Sequence, residues 1–340
     1  MGVRRTATGP RRVTSTTGRV CVTNHLGPDD IRDALRDDVR MGLVAAPKYL
    51  APKWFYDKVG SDLFDQITRL PEYYPTEAER ATLVMAAAEI VARSGASTVV
   101  ELGSGSSDKT RVLLDAFHHA GVLERYVPFD VSESALAEAA WMIAERYEGV
   151  VVDAVVGDFD RHLDCIPLGD RRMLAFLGGT IGNYEPDDRH RLLRAISDTL
   201  CEGETLLLGT DLVKDEGRLI AAYDDAAGVT AAFNRNVLSV LNRELDADFV
   251  PDAFDHVALW DPDNEWIEMR LRSRSAQRVA IDALGIVVEF ESGEEVRTEV
   301  SAKFRRERVE SELAAVGFDI IGWWTDPLEQ FAVSLSQKQT

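Results

Sequence analysis

At 340 residues, 45% of them hydrophobic, the chain is long enough for two domains, or one with a large insertion, around a sizeable core. Its formal net charge of −20 excludes recognition of nucleic acid, or of an anionic membrane surface, through Lys and Arg meeting phosphates. No apolar run approaches the roughly 20 residues that span a bilayer, no signal-peptide segment is seen, and Cys21, Cys165 and Cys201 are scattered as free thiols, so a cytoplasmic, monomeric protein is expected.

Residues 1–24 carry Arg4, Arg5, Arg11, Arg12 and Arg19, no acids, and much Thr, Ser and Gly. Transit peptides and nucleic-acid-binding arms share that composition, but a short disordered basic tail is the expectation, because such a segment cannot bury enough surface to order itself. Order is expected from Gly27-Pro28-Asp29, and Ile31, Leu35, Val39 and Leu43 then recur as one stripe of an amphipathic helix. Residues 51–75, APKWFYDKVGSDLFDQITRLPEYYP, are dense in aromatics and broken by prolines, so they should wrap over a neighbouring surface. Thr76 with Glu79 three residues on is a capping-box signature for a helix to about Arg93, with Gly95 as its stop.

From there apolar strands alternate with helices. Strands are expected at Thr98–Leu102, Tyr126–Asp130, Gly149–Val156, Met173–Leu177 and Thr205–Thr210, with helices at Ser107–His119, from Ser132, and at Pro186–Leu200. Such alternation indicates a parallel sheet covered on both faces. Residues 215–243 read as helix and 254–300 as strands, with Ile267, Met269 and Leu271 alternating against Glu268, Arg270 and Arg272. A last helix (Phe304–Val316) and two strands (Phe318–Trp324, Phe331–Leu335) would close a seven-stranded sheet. The expected fold is α/β: a Rossmann-like, class I methyltransferase sheet from 76–213 and 304–340, with a second, α+β substrate-binding domain from 25–75 and 214–303.

VELGSG, residues 100–105, runs from strand into a glycine turn, where backbone must pass close to a ligand. It lacks the third glycine of the dinucleotide fingerprint, which counts against a nicotinamide oxidoreductase. Gly103, preceded by Glu101, instead suits the methionine-binding loop of S-adenosylmethionine-dependent methyltransferases, and Lys109 could pair with the methionine carboxylate. Asp130 ends the second strand, where an acid can accept from ribose hydroxyls. Asp158 closes the third, placed for the adenine amine, with Phe159 to pack on the ring. The six histidines have no metal spacing, and no metal is expected.

From Pro47 onward the chain resembles the L-histidine Nα-methyltransferases of ergothioneine biosynthesis. The segments that carry the resemblance are PKWFYDKVGSDLFDQITRLPEYYPT, VELGSGSSDKT, LGGTIGN, LLLGTDLVKD, AYDDAAGVTAAFNRN, TEVSAKF and WWTDP. The resemblance implies S-adenosylmethionine as co-substrate, L-histidine as substrate and three successive methylations of its α-amine to hercynine, in a cleft that the second domain closes. It implies that Tyr56 lies beside the cofactor and Tyr73 faces the substrate amine. Asn183 would hold the amino and carboxylate groups, and Tyr223 would help hold the carboxylate. Glu299 and Ser301, two apart on one strand face, would read the imidazole, with Met269 packed near the ring. Read alone, Tyr56, Tyr73 and Met269 are core residues and Glu299 a solvated strand residue. The family usually has serine at position 179, and Gly179 would loosen the turn before Asn183. Competing readings are a methyltransferase for another amino acid or small amine, and a cofactor-binding regulator without catalysis.

Overall fold

The computed structural model describes residues 11–14, 19–27, 29–105, 110–169 and 171–340. The chain begins with β1 (Arg11–Thr14) and β2 (Val20–Asn24), followed by α1 (Asp30–Val44), β3 (Lys48–Tyr49), α2 (Lys58–Ile67) and α3 (Pro75–Ser94). The alternating region supplies β4 (Thr98–Leu102), α4 (Thr110–His119), β5 (Arg125–Asp130), α5 (Glu133–Arg146), β6 (Val151–Val156), β7 (Arg172–Phe176), α6 (Pro186–Thr199) and β8 (Thr205–Asp211).

The insertion holds α7 (Glu216–Tyr223), α8 (Val229–Leu245), β9 (Phe254–Asp261), β10 (Trp266–Ser273), β11 (Gln277–Ile281), β12 (Ile286–Phe290) and β13 (Glu295–Ala302). The chain closes with α9 (Arg306–Ala314), β14 (Phe318–Thr325) and β15 (Phe331–Lys338).

The large sheet has the order β1-β2-β6-β5-β4-β7-β8-β15-β14, with β2 to β8 parallel and β15 antiparallel between β8 and β14. Every residue of β4, β7 and β8 is buried. That is why these strands read as continuous apolar runs rather than alternating ones. Val99 faces one hydrophobic cluster, while Val100 and Leu102 face the other. Order reverses at β4: β5 and β6 follow on one side, β7 and β8 on the other. Such a reversal opens a ligand crevice beyond the strand carboxyl ends. The seven strands β6-β5-β4-β7-β8-β15-β14 form the expected Rossmann-like methyltransferase sheet, and β1 and β2 extend it to nine.

The smaller sheet, β3-β13-β10-β9, is antiparallel except where β3 joins β13, and β11 pairs with β12 alone. The end of β13 is stitched to β8, since the Phe304 amide donates to the Asp211 carbonyl at 2.8 Å and the Val213 amide to the Phe304 carbonyl at 3.1 Å. The two sheets therefore meet at the carboxyl end of β8.

Three local expectations change. Within the expected disordered tail, residues 11–14 and 20–24 form strands β1 and β2. RVCVTN contains a β-branched run, and β2 pairs in parallel with β6, burying Val20 and Val22. An open edge on β6 would otherwise leave its backbone groups unpaired. Thr76 is not a cap either: α3 starts at Pro75, whose preset φ suits the first helical position. Glu79 instead turns inward, fully buried, and accepts from the Gly178 amide at 2.6 Å. Residues 215–243 divide into two helices, because Asp225 caps α8 by accepting from the amides of Val229 (3.0 Å) and Thr230 (2.7 Å).

Candidate active site

The glycine turn after β4 has Gly103 at φ +67° and Gly105 at φ +48°, left-handed backbone that favours glycine. Glu101, just before it, is buried and accepts from the hydroxyls of Thr110 and Tyr126. Asp130 ties the turn to β5, accepting from the amides of Gly105 and Ser132, each at 3.0 Å. Asp158 follows β6 and accepts from the Asp160 amide at 3.0 Å. Phe159 packs edge-on against Phe176 with centroids 5.6 Å apart, and a Cβ at Gly103 would lie 4.0 Å from its ring. Gly103, Asp130, Asp158 and Phe159 thus converge beyond β4, β5 and β6. Lys109 lies outside the described residues.

The second group of side chains is organised by β13. Glu299, Ser301 and Lys303 alternate along the chain and share one face. Met269 of β10 stands opposite Glu299 in register and is 1% exposed, so it packs beside the carboxylate on that face. The Ser301 hydroxyl lies 2.7 Å from that of Tyr223. Lys303, with no side-chain exposure, donates to both hydroxyls at 2.9 Å and lies 2.9 Å from an Asp211 oxygen. Asp211 also accepts from the Tyr74 hydroxyl (2.8 Å) and pairs with Lys214. Tyr74, Asp211, Lys214 and Lys303 lie within the segments that carry the family resemblance, but no local pattern marks them as a group. Only the tertiary fold brings them together.

An aromatic series closes the other side. Phe55 lies 4.7 Å from Phe233, and Tyr56 packs edge-on against Phe64 (5.5 Å) and Phe233 (5.6 Å). Tyr73 bridges Phe64 (6.1 Å) and Tyr223 (6.4 Å). Tyr56, expected beside the cofactor, has its electrostatic partners in Glu299 and Tyr223. It is anchored by the next residue, Asp57, which caps α2 at Gly60 and accepts from Asn236 at 2.8 Å. Asn234 is also structural, donating to the Arg270 carbonyl at 3.1 Å and accepting from Thr298 at 2.6 Å.

Asn183 ends a 3-10 turn, Thr180–Asn183. Gly178 and Gly179 precede it at φ +81° and +67°, left-handed backbone that glycine suits. Gly182 brings the turn against β13: a Cβ there would lie 2.9 Å from the Ala302 carbonyl oxygen. Asn183 is thereby held beside the Ser301 end of the strand. Gly182→Val is expected to push the turn away, lowering turnover about 100-fold through misplacement of Asn183, while affinity for S-adenosylhomocysteine is kept. Equal losses in both measurements would show that the cofactor crevice depends on this contact instead.

The charges are unevenly matched. Burial pushes the Glu299 carboxyl up to about 7, against a smaller opposing pull from Lys303. Neither Glu299 nor the Asn183 amide has a side-chain hydrogen bond or ion pair among the described residues. Burial would also raise the Asp211 carboxyl, but Lys303 and Lys214 outweigh it and hold it low. Burial brings Lys214 down to about 8 despite its pairing with Asp211. The Tyr73 phenol is raised well above its ordinary value by burial, then by Tyr223, Tyr56 and Glu299. The paired charges of Asp211 and Lys303, with the Tyr223 and Ser301 hydroxyls bonded to Lys303, therefore adjoin two half-buried groups, Glu299 and Asn183, that have no side-chain hydrogen bond among the described residues. Half-buried polar groups of this kind are open to a ligand with complementary polar atoms. No set of three or more His, Cys, Asp or Glu side chains among the described residues is grouped to hold a metal, and no helix there is long and apolar enough to cross a membrane.

Residues 35–338 match the family described as histidine-specific methyltransferase, SAM-dependent. The chain is 59% identical to a histidine N-alpha-methyltransferase of Mycolicibacterium smegmatis over 315 residues, covering 93% of this chain and 98% of that protein. It is 57% identical to a histidine N-alpha-methyltransferase of Mycobacterium tuberculosis over 320 residues, covering 94% and 100% respectively. A more distant relative is ergothioneine biosynthesis protein 1 of Schizosaccharomyces pombe, 31% identical over 220 residues, which cover 61% of this chain and 28% of that protein.

Proposed function

Since the chain belongs to the SAM-dependent, histidine-specific methyltransferase family, we propose that it transfers three methyl groups in succession to the α-amine of L-histidine. The product is hercynine, and the reaction is the first step of ergothioneine biosynthesis. The observation that carries this reading is Glu299: a carboxylate without a protein partner, two residues from Ser301 on one strand face. A carboxylate and a hydroxyl suit a ring with one N–H donor and one acceptor nitrogen.

The crevice residues fit the co-substrate. The positive φ at Gly103 and Gly105 leaves backbone accessible, and each oxygen of Asp130, although bonded to an amide, retains a lone pair for a ribose hydroxyl. Asp158 would accept from the adenine amine, and Phe159 would pack on the ring. S-adenosylmethionine, when bound, supplies a methyl group already activated on positively charged sulfur. The chain's own task is then to align the amine and exclude water. Alignment alone can contribute several kcal/mol, because an encounter becomes an intramolecular step. Asn183 would hold the carboxylate and amine, while Tyr73 orients the nitrogen and Tyr223, bonded to Ser301, borders the same space. A free α-amine, with a reference pKa of roughly 8 or above, must lose a proton before attack, and the neighbouring sulfonium charge favours that loss.

The test is mass spectrometry of L-histidine incubated with the protein and S-adenosylmethionine, beside a panel of other amino acids and small amines. The expected product is histidine bearing three methyl groups on its α-nitrogen. Methylation of a different panel member in preference to histidine would overturn the substrate.

A further inference from the structure

The charged cluster under Ser301 has a consequence for which ring the cleft accepts, on the reading that a histidine ring occupies it. An ammonium has three N–H donors and no acceptor. Lys303 spends all three, on the Tyr223 hydroxyl, the Ser301 hydroxyl and Asp211, each at 2.9 Å. The two hydroxyls carry one proton each and lie 2.7 Å apart, so one proton makes their mutual bond. The other has no acceptor among the described residues. It is left free for a group on the strand face that Ser301 shares with Glu299.

We propose that Lys303 is a positioning and specificity-determining residue which, anchored by Asp211, aims one hydroxyl proton of the Tyr223–Ser301 pair at the substrate ring, so that the cleft selects an imidazole presenting an unprotonated nitrogen there and an N–H to Glu299. A ring protonated on both nitrogens meets a donor with a donor and is rejected. A ring lacking the acceptor nitrogen leaves the hydroxyl proton buried and unpaired. Either mismatch is a strong form of discrimination, since the buried polar groups are on the protein side.

Lys303 acts a second way, through charge. The ionisable groups around Glu299 are Lys303 beyond the end of β13, Tyr56 ahead of α2, Tyr73 between α2 and α3, and Tyr223 at the end of α7, with apolar Met269 opposite on β10. Lys303 is the cation in that set, and it favours the ionised carboxylate against burial. Asp211 in turn keeps Lys303 charged despite its complete burial. The cluster therefore sets both partners of the ring: the direction of a hydroxyl proton and the protonation of Glu299.

The test is calorimetric binding of L-histidine to protein saturated with S-adenosylhomocysteine, from pH 6 to 9. Wild-type affinity is expected to rise with pH as the ring and then Glu299 lose their protons. Lys303→Met is expected to weaken histidine binding about tenfold or more at pH 8 and to move the midpoint of that rise to higher pH. Affinity for S-adenosylhomocysteine should stay within about threefold, because the contacts of Lys303 are Tyr223, Ser301 and Asp211 and it shares no partner with Gly103, Asp130, Asp158 or Phe159. Lys303→Arg keeps the charge but presents a planar fork instead of three diverging donors. It should lose histidine affinity with the midpoint unmoved, and it decides the question alone where the methionine variant does not fold. A midpoint and a histidine affinity both unchanged in Lys303→Met, or wild-type affinity in Lys303→Arg, would overturn the assignment. Wild-type protein that binds S-adenosylhomocysteine but not histidine would instead remove the substrate reading, and the two failures are thereby distinguishable.

Discussion

Glu299→Ala is expected to raise the dissociation constant for L-histidine by roughly 30- to 1,000-fold, which corresponds to about 2–4 kcal/mol. The magnitude follows from what is lost: a charge-assisted hydrogen bond to the ring, and an imidazole N–H then buried without an acceptor. Affinity for S-adenosylhomocysteine should hardly change, since Glu299 lies on β13 and the cofactor residues lie beyond β4, β5 and β6. A stability measurement adds an independent check. The folded-state pKa of Glu299 is raised to about 7, so its ionisation opposes folding. That cost begins above the ordinary glutamate value and is fully present above pH 7. In the ligand-free protein, Glu299→Ala should therefore leave the unfolding temperature unchanged or higher, with a larger gain at pH 8 than at pH 5. A site residue that weakens the empty protein and strengthens the complex is what a binding group looks like. A histidine dissociation constant indifferent to the substitution would remove Glu299 from ring recognition.

What could be read from the chain beforehand, and what could not, follows from the range of the interactions. The strands of the large sheet were legible because parallel strands buried on both faces are apolar throughout, as in TVVEL and TLLLGTD. Asp130 and Asp158 stand out in the chain because an acid at or just past the end of such a strand is a local feature. Strand β2 was hidden, because the composition of residues 1–24, dominated by arginine, masks the short run VCV, whose partner β6 lies far along the chain. Capping of α3 was misread because Glu79 matches a local pattern but bonds to Gly178, 99 residues away. The Lys303–Asp211–Tyr74 cluster was hidden for the same reason. A buried lysine is rare enough that a strand-end lysine reads as solvated, and only the β8–β13 junction shows what neutralises it.

Tyr73→Phe is expected to lower turnover with L-histidine by roughly 100-fold or more, with affinity for S-adenosylhomocysteine unchanged and histidine affinity reduced only a few-fold. The hydroxyl is the sole group removed, and the ring contacts with Phe64 and Tyr223 are kept. The pKa of Tyr73, raised by burial and by the charges around it, keeps the phenol protonated near neutral pH. We therefore propose that its lone pairs accept from an amine N–H and turn the nitrogen's own lone pair toward the methyl group, rather than that a phenolate removes the proton. That role weakens as methyl groups accumulate, because a neutral dimethylated amine has no N–H left to hold. The substitution should accordingly slow the first transfer most and the third least, measured in single turnovers with L-histidine and with Nα,Nα-dimethyl-L-histidine. The rise of turnover with pH, governed by loss of the amine proton, should persist in the variant at a lower plateau. Equal slowing of all three transfers would instead assign Tyr73, or a water it holds, to removal of the proton, and unchanged turnover would exclude it from the reaction.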